Sequence, residues 1–357
     1  MKITFVSTGT VIDVFPLKGG GIEVLEFELI KALKRKGHEV QLFASHSITP
    51  NSVNIGFNWI KNERIHSFTS MLNCHTKKKL VEGQIIHCHY ALTAVPFLGL
   101  RPLVYTEHNW YNLPGMDFHR TLFTGFFDSA QKKVYEKADR IIALSSEIKK
   151  IIKSKVREKE KVEFIPNFVN TKIFAPKKKI PNRILFVGRL AKEKGINLLL
   201  NSLKGQKDYE LLIAGEGPEK KALEQLASRN EIKAKFLGFV PHNKLPSLFS
   251  SASIFVLSSY FEVMPVVVLE AMSSGCAVIA SDAFGIRDQI DQEKNGFIFN
   301  KGNQEQLKQK INELLKDEGK AKELGRKARH KALKEFDVQI IAGKTELLYK
   351  EVLEARK

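Results

Sequence analysis

The chain has 357 residues, 43% of them hydrophobic and 27% charged, a globular composition long enough for two domains that each bury a core. No apolar run is long enough to span a membrane, the start MKITFVSTGTVIDV turns polar too soon for a signal peptide, and Cys74, Cys88 and Cys276 are too scattered for a disulfide framework or zinc site, so a cytoplasmic setting is expected. The 57 Lys and Arg against 39 Asp and Glu give a net charge of +18, which suits a nucleic acid, an anionic membrane surface or a phosphorylated substrate without choosing among them.

Lys2 to Val6 reads as a first strand, and Gly19, Gly20 and Gly21 form a glycine-rich turn before a helix. Ile22, Leu25, Leu29, Ile30 and Leu33 recur at helical spacing up to Gly37, and Glu39 to Ala44 is the next strand. A glycine turn before a helix can hold a phosphate on free amides, or can be only a turn. Further strands are read at Gln84 to His89, Leu103 to Thr106, Arg140 to Ser145 and Val162 to Ile165. His108 falls just past a strand end, where an α/β crevice lies, and either touches substrate there or is structural. His87 and His89 alternate on one strand, but no acidic or cysteine partner at ligand spacing supports a metal. The segment from Phe118 to Tyr135 reads as a core helix in preference to an amphipathic membrane-surface helix.

Asn167 to Pro181, with its prolines and Lys177-Lys178-Lys179, reads as a linker. A second alternating series follows, with strands at Arg183 to Val187, Leu211 to Ala214, Lys235 to Leu237, Ile254 to Leu257 and Ala277 to Ala280. Two such series imply an α/β protein of two Rossmann-like domains facing each other across a cleft. Three strand-to-helix turns in the second half, beginning at Gly188, Gly215 and Gly285, converge on one crevice. The first carries Arg189 and Lys194, cations suited to a pyrophosphate. The stretch from Ile254 to Asp282 organises this half: strand, loop with Glu262, Pro265 opening a helix from about Val266 to Ser274, Gly275, then strand. Glu270 lies inside that helix among apolar neighbours, so its carboxylate is expected to need hydroxyl donors from a ligand.

Taken together, GGGIE at 19–23, KGHEV at 36–40, TEH at 106–108, IPN at 165–167, LFVGRLAKEKGI at 185–196, AGEGPE at 214–219, LGFVP at 237–241 and the Glu-x7-Glu of Glu262 and Glu270 followed by LEAMSSG resemble a known family. It is that of the retaining, nucleotide-sugar-dependent glycosyltransferases of the GT-B fold, the group that includes glycogen, sucrose-phosphate and lipid-mannosyl synthases. The resemblance spans nearly the whole chain. It implies an acceptor-side domain at 1–170, a donor domain at 171–337 and a C-terminal helix at 338–357 crossing back onto the first domain. It also implies that Arg189 and Lys194 hold the donor diphosphate, that Glu270 binds the ribose hydroxyls, and that Glu262 with Val263, Met264, Pro265 and Val266 grips the donor sugar. Gly20 and Gly21 would approach the phosphate, Gly215 and Val240 would line the donor site, and His108 would contact the transferring sugar. Val263 and Met264 stand where the family commonly has Gly and Phe, Phe168 and Asn170 where it has Gly and Asp, and Phe284 where it has Gly.

The implied reaction moves a hexosyl-type sugar from a nucleotide-diphosphate sugar to an acceptor hydroxyl with retention. No Asp-x-Asp motif for a diphosphate-bound metal is present, so no cofactor or metal is expected and two cations take that role. Another enzyme of the same fold, such as an epimerase or phosphorylase, and a binding module without turnover are the competing readings. No aromatic-basic platform supports a nucleic-acid partner. Basic patches at Lys77-Lys78-Lys79, Lys132-Lys133 and Lys149 to Lys161 place a lipid-linked acceptor at an anionic membrane slightly ahead of a soluble one.

Overall fold

The computed structural model describes residues 1–7, 21–44, 51–55, 63–108 and 122–356. The chain divides into two compact units, Met1–Pro166 with Ile341–Lys357, and Asn167–Ile340.

The first unit runs β1 (Lys2–Val6), α1 (Gly21–Arg35), β2 (Glu39–Ala44), β3 (Ser52–Asn54), α2 (Glu63–Lys77), β4 (Ile85–Cys88), α3 (Ala91–Ala94), β5 (Leu103–Glu107), α4 (Leu122–Lys137), β6 (Arg140–Ala143), α5 (Ser146–Lys155) and β7 (Val162–Phe164). Its strands pair in parallel in the order β3-β2-β1-β4-β5-β6-β7. Ile3, Phe5, Ile85, Ile86 and Val104 are essentially inaccessible, as strands covered on both faces require. Val24, Leu25, Leu29 and Leu33 form the buried stripe of α1.

The second unit runs β8 (Ile180–Val187), α6 (Ile196–Ser202), β9 (Glu210–Ala214), α7 (Lys220–Arg229), β10 (Ala234–Gly238), α8 (Leu245–Ser251), β11 (Ala252–Leu257), α9 (Val266–Ser273), β12 (Ala277–Ser281), α10 (Ile286–Gln289), β13 (Phe297–Phe299), α11 (Gln304–Lys316) and α12 (Glu318–Glu335). Its strand order is β10-β9-β8-β11-β12-β13, again parallel throughout. Asn303 and Asp317 cap α11 and α12 by accepting from the amides of Gln306 and Lys320. The last helix, α13 (Val338–Glu354), begins in the second unit, and from Ile341 the chain belongs to the first. There Glu346 pairs with Lys36 at 2.8 Å and Arg356 with Asp139 at 2.7 Å.

Both sheets therefore reverse direction beside their first strand, between β1 and β4 in one and between β8 and β11 in the other. In open parallel sheets ligands bind outside the strand C-termini at such a reversal.

The stretch from Asn167 to Pro181 is not a free linker. Phe168, Val169 and Phe174 are buried, and Val169 exchanges backbone hydrogen bonds with residues 336 and 338. Arg329 donates to the carbonyls of Thr171, Phe174 and Ser273. Proline and lysine content marked a break in the regular pattern, but the apolar Phe168, Val169 and Phe174 dock it on its own unit. Asn170 builds a local turn, accepting from the amides of Lys172 and Ile173 at 3.2 and 3.3 Å.

Candidate active site

In the second unit Arg189, Lys194 and Glu262 sit on loops leaving the C-terminal ends of strands. The loop after β8 carries Arg189 and Lys194, and the loop after its neighbour β11 carries Glu262. The first loop does not open a helix directly. It passes through a short 3-10 turn at Lys192–Lys194, and Gly195, left-handed at φ +59°, leads into α6. The two loops are fastened together: the amide of Tyr260 donates to the Glu193 carbonyl at 2.8 Å, and the Ser258 hydroxyl to the Lys194 carbonyl at 3.1 Å. Lys194 Nζ lies 2.7 Å from Glu262 Oε1, which also accepts from the Ser259 hydroxyl at 2.7 Å. Arg189 is exposed and makes no ion pair among the described residues.

The loop that follows is held by its carbonyls. Asn167 Nδ2 donates to Met264 O at 2.7 Å, and Gln289 Nε2 to Pro265 O at 2.9 Å. At the N-terminus of α9 the amides of Val266 and Val267 have no acceptor among the described residues, and no side chain caps the helix. Free amides and the positive end of a helix dipole suit an anion. Val263 stands where glycine is common in the resembling family, yet it is not among the described non-glycine residues with positive φ. Gly285 supplies the left-handed turn instead, at φ +72°, and a Cβ there would lie 2.0 Å from the Val263 carbonyl oxygen.

Glu270 is only 3% exposed, and its environment differs from the expectation that a ligand must satisfy it. His242 Nε2 already lies 2.7 Å from Glu270 Oε1. No local signal announces this pairing, because His242 follows Pro241 on the far side of the sheet order, 28 residues from its partner. Gly215 has a reason of its own in the chain. A Cβ there would lie 1.8 Å from the Gly188 carbonyl oxygen, so this glycine is demanded by the chain itself, where the loop after β9 closes on the loop after β8. Val240 is half-buried between β10 and the turn carrying His242, beside Phe239, which is 58% exposed.

In the first unit the TEH stretch divides by side-chain alternation along β5. Glu107 faces one way and accepts from Tyr135 at 2.6 Å and Gln131 at 2.7 Å, anchoring α4. Thr106 and His108 face the other way, towards His87 at 2.7 Å and His89 at 2.9 Å. His87 is also hydrogen-bonded with the Tyr349 hydroxyl at 2.5 Å, and among the described residues no group of His, Cys, Asp and Glu could hold a metal. Burial pushes the His87 imidazole down to about 3 and His108 to about 4, and holds His89 well below the usual range. These histidines are neutral near pH 7. Gly21 is the exposed first residue of α1. Gly20 lies outside the described residues, as do 118–121 of the aromatic segment. On α4 itself Ala130, Val134 and Tyr135 are buried and Phe126 is exposed. No described helix is long and apolar enough to cross a membrane.

A parallel α/β unit with cations, a carboxylate loop and an uncapped helix N-terminus at its strand reversal has the layout in which open α/β sheets hold their ligands. Residues 169–331 match the family of glycosyl transferases group 1, and residues 19–173 match glycosyltransferase family 4. The chain is 37% identical over 154 residues to a sulfoquinovosyl transferase of Arabidopsis thaliana, a match covering 42% of this chain and 30% of that protein. An uncharacterized glycosyltransferase of Methanocaldococcus jannaschii is 27% identical over 380 residues, covering 94% of this chain and 95% of its own. The fold matches sucrose-phosphate synthase from Thermosynechococcus elongatus with a TM-score of 0.85 over 99% of both chains, at 22% identity. Glycosyltransferase family models thus cover residues 19–331 between them, and the chain has the GT-B fold.

Proposed function

We propose that this chain is a retaining glycosyltransferase that moves a hexosyl-type sugar from a nucleotide-diphosphate sugar to an acceptor hydroxyl. The observation that carries the reading is the grouping of Arg189, Lys194, Glu262 and the free α9 amides on loops from the adjacent strands β8 and β11. Arg189, Lys194 and the helix N-terminus take the diphosphate, Glu270 the ribose hydroxyls, and Glu262 the sugar hydroxyls. In this reading the incoming diphosphate competes for Lys194 and frees Glu262 for the sugar. As the anomeric carbon–oxygen bond breaks through an oxocarbenium-like state, the cations stabilise charge growing on the leaving group. The acceptor oxygen bonds to the same face of the carbon, and its proton passes to the departing phosphate oxygen. Gly215, Val240, Val263, Met264, Pro265 and Val266 shape the donor pocket, and His108 meets the sugar.

A thermal-shift panel of nucleoside diphosphates and their sugars identifies the donor, since a ligand bound to the folded state raises the melting temperature. Proton NMR of the product, formed with that donor and an acceptor, then reads the anomeric configuration. An inverted product, or donor consumed without acceptor, defeats the proposal. Because two side-chain cations serve the leaving group, transfer is expected to continue in excess EDTA. Loss of activity restored by Mg²⁺ or Mn²⁺ would refute that part.

A further inference from the structure

The carboxylate oxygen that meets Lys194 has a second donor, held in a different way. Glu262 Oε1 lies 2.7 Å from Lys194 Nζ and 2.7 Å from the Ser259 hydroxyl. An ammonium offers only donors, so Oε1 is an acceptor there and the Ser259 hydroxyl must point its own proton at it. Lys194 reaches this oxygen from the loop after β8, on a flexible four-carbon side chain that keeps 24% exposure. Ser259 is fully buried and lies three residues from its acceptor in the same loop. The backbone around it is tied down. The Ser281 hydroxyl, at the end of β12, donates to the Ser259 carbonyl. On either side of Ser259, the Ser258 hydroxyl donates to the Lys194 carbonyl and the Tyr260 amide to the Glu193 carbonyl. The two loops touch so closely that a Cβ on Gly195 would lie 2.3 Å from the Ser258 carbonyl oxygen.

The Glu262 side chain is 12% exposed, so water cannot fully replace a lost partner, and a carboxylate in that setting needs a donor throughout. If Lys194 were its sole donor, moving the ammonium to a diphosphate would force the carboxylate into another conformation. The Ser259 hydroxyl removes that requirement. It keeps Oε1 satisfied and in place while the ammonium changes partners, and the other oxygen is left for an incoming hydroxyl.

We propose that Ser259 is a positioning residue. It holds the Glu262 carboxylate when Lys194 turns to the diphosphate, so that Glu262 meets the hydroxyls of the transferring sugar without first rearranging. The proposal rests on the reading above that Lys194 takes the diphosphate and Glu262 the sugar.

Calorimetry on the full chain tests this through one ratio, the affinity for a nucleotide sugar over that for its bare nucleoside diphosphate. The probes are the tightest-binding pair among UDP with UDP-glucose, GDP with GDP-mannose and ADP with ADP-glucose. In folded Ser259→Ala the ratio is expected to fall about tenfold, the scale of one hydrogen bond to a charged group. Ser259→Thr, which keeps the hydroxyl, recovers most of that loss. In a Glu262→Ala background Ser259→Ala changes the ratio no further, a coupling that a serine serving the fold alone would not show. An unchanged ratio in Ser259→Ala, or the same loss with and without Glu262, overturns the positioning role. Should Ser259→Ala not fold, Ser281→Ala, which releases the Ser259 carbonyl, is read by the same ratio. A fall of about threefold is expected there, and an unchanged ratio overturns the role. A ratio that Glu262→Ala itself leaves intact instead overturns the sugar contact on which the role depends.

Discussion

At the reversal of the first sheet the polar side chains are buried and neutral: His87, His89 and His108 are stacked and hydrogen-bonded, with Glu26 beside them. At the reversal of the second sheet an ion pair stands instead: Lys194 with Glu262, which also accepts from the Ser259 hydroxyl, while further in Glu270 is hydrogen-bonded with His242. One architecture thus offers two kinds of surface at the same edge. A neutral, close-packed cluster fixes direction without adding charge, whereas opposed charges within reach of solvent can exchange partners when an anion arrives. Under the proposed function the contrast gives the second unit the diphosphate and the first unit an orienting part.

The largest effect that would test this division is at Lys194. Lys194→Ala is expected to lower kcat by about 100- to 1,000-fold, the scale for losing a donor aimed at developing negative charge. Steady-state release of nucleoside diphosphate measures it, and a drop of less than tenfold would move the leaving-group role elsewhere. Next comes Glu270→Ala, which under the proposed function would remove two charge-assisted hydrogen bonds to ribose. Calorimetry should show donor affinity falling about 100-fold, at roughly 1.5 kcal/mol per bond. His242→Ala should cost about tenfold through a loosened carboxylate, and nothing further once Glu270 is gone. Additive losses in the double variant would show that His242 acts independently of Glu270.

Acidification separates the units by stability. His87 and His108 titrate at about 3 and about 4 in the folded protein and near 6.5 unfolded, and His89 is shifted the same way. Between those values the unfolded chain binds more protons, so stability falls as pH drops from about 6.5 towards 4, by up to about 1.4 kcal/mol per pH unit for each histidine. Glu26 acts in the opposite sense, because its raised value makes the folded state the better proton binder above the ordinary carboxylate range. Three groups outweigh one. Hydrogen exchange in β4 and β5 should therefore accelerate between pH 7 and pH 5, after correction for intrinsic rates, more than in β11 and β12. Equal change in both sheets would contradict the neutral cluster. The smallest effect expected is at a membrane: the patches around Lys78, Lys132 and Lys153 predict sedimentation with anionic liposomes at low salt that fades as salt is added. Protein left in the supernatant at low salt would favour a soluble acceptor.

Much of this was legible in the chain itself. Parallel strands in the second unit announce themselves as short apolar runs such as Ile254 to Leu257, and glycine or proline marks where each helix begins and ends. Glu262 and Glu270 were legible because both lie within one strand-loop-helix segment. What could not be read were pairings between distant segments. Nothing near Glu270 points to His242, nothing near Met264 to Asn167, and Glu26 looks like one more charge on an amphipathic helix until β4 and β5 bring His89 and His108 beside it. The stretch from Asn167 to Pro181 misled for a related reason. Local composition reports the break in regular structure and is silent about Arg329, which holds that stretch from more than 150 residues away.

The crowding of Gly215 on Gly188 and of Gly285 on Val263 bears on how this pocket could be re-engineered. A methyl group added at either glycine would meet a backbone oxygen at 1.8 or 2.0 Å. That leaves no room for even alanine, and neither neighbour is a flexible side chain that could swing aside. Mutant libraries aimed at a new donor gain nothing from randomising these glycines. Val240, Val263 and Val266, in the donor pocket proposed above, are half-buried and already carry side chains that can be exchanged. Under the proposed function, diversity placed there is what would sample pocket shapes.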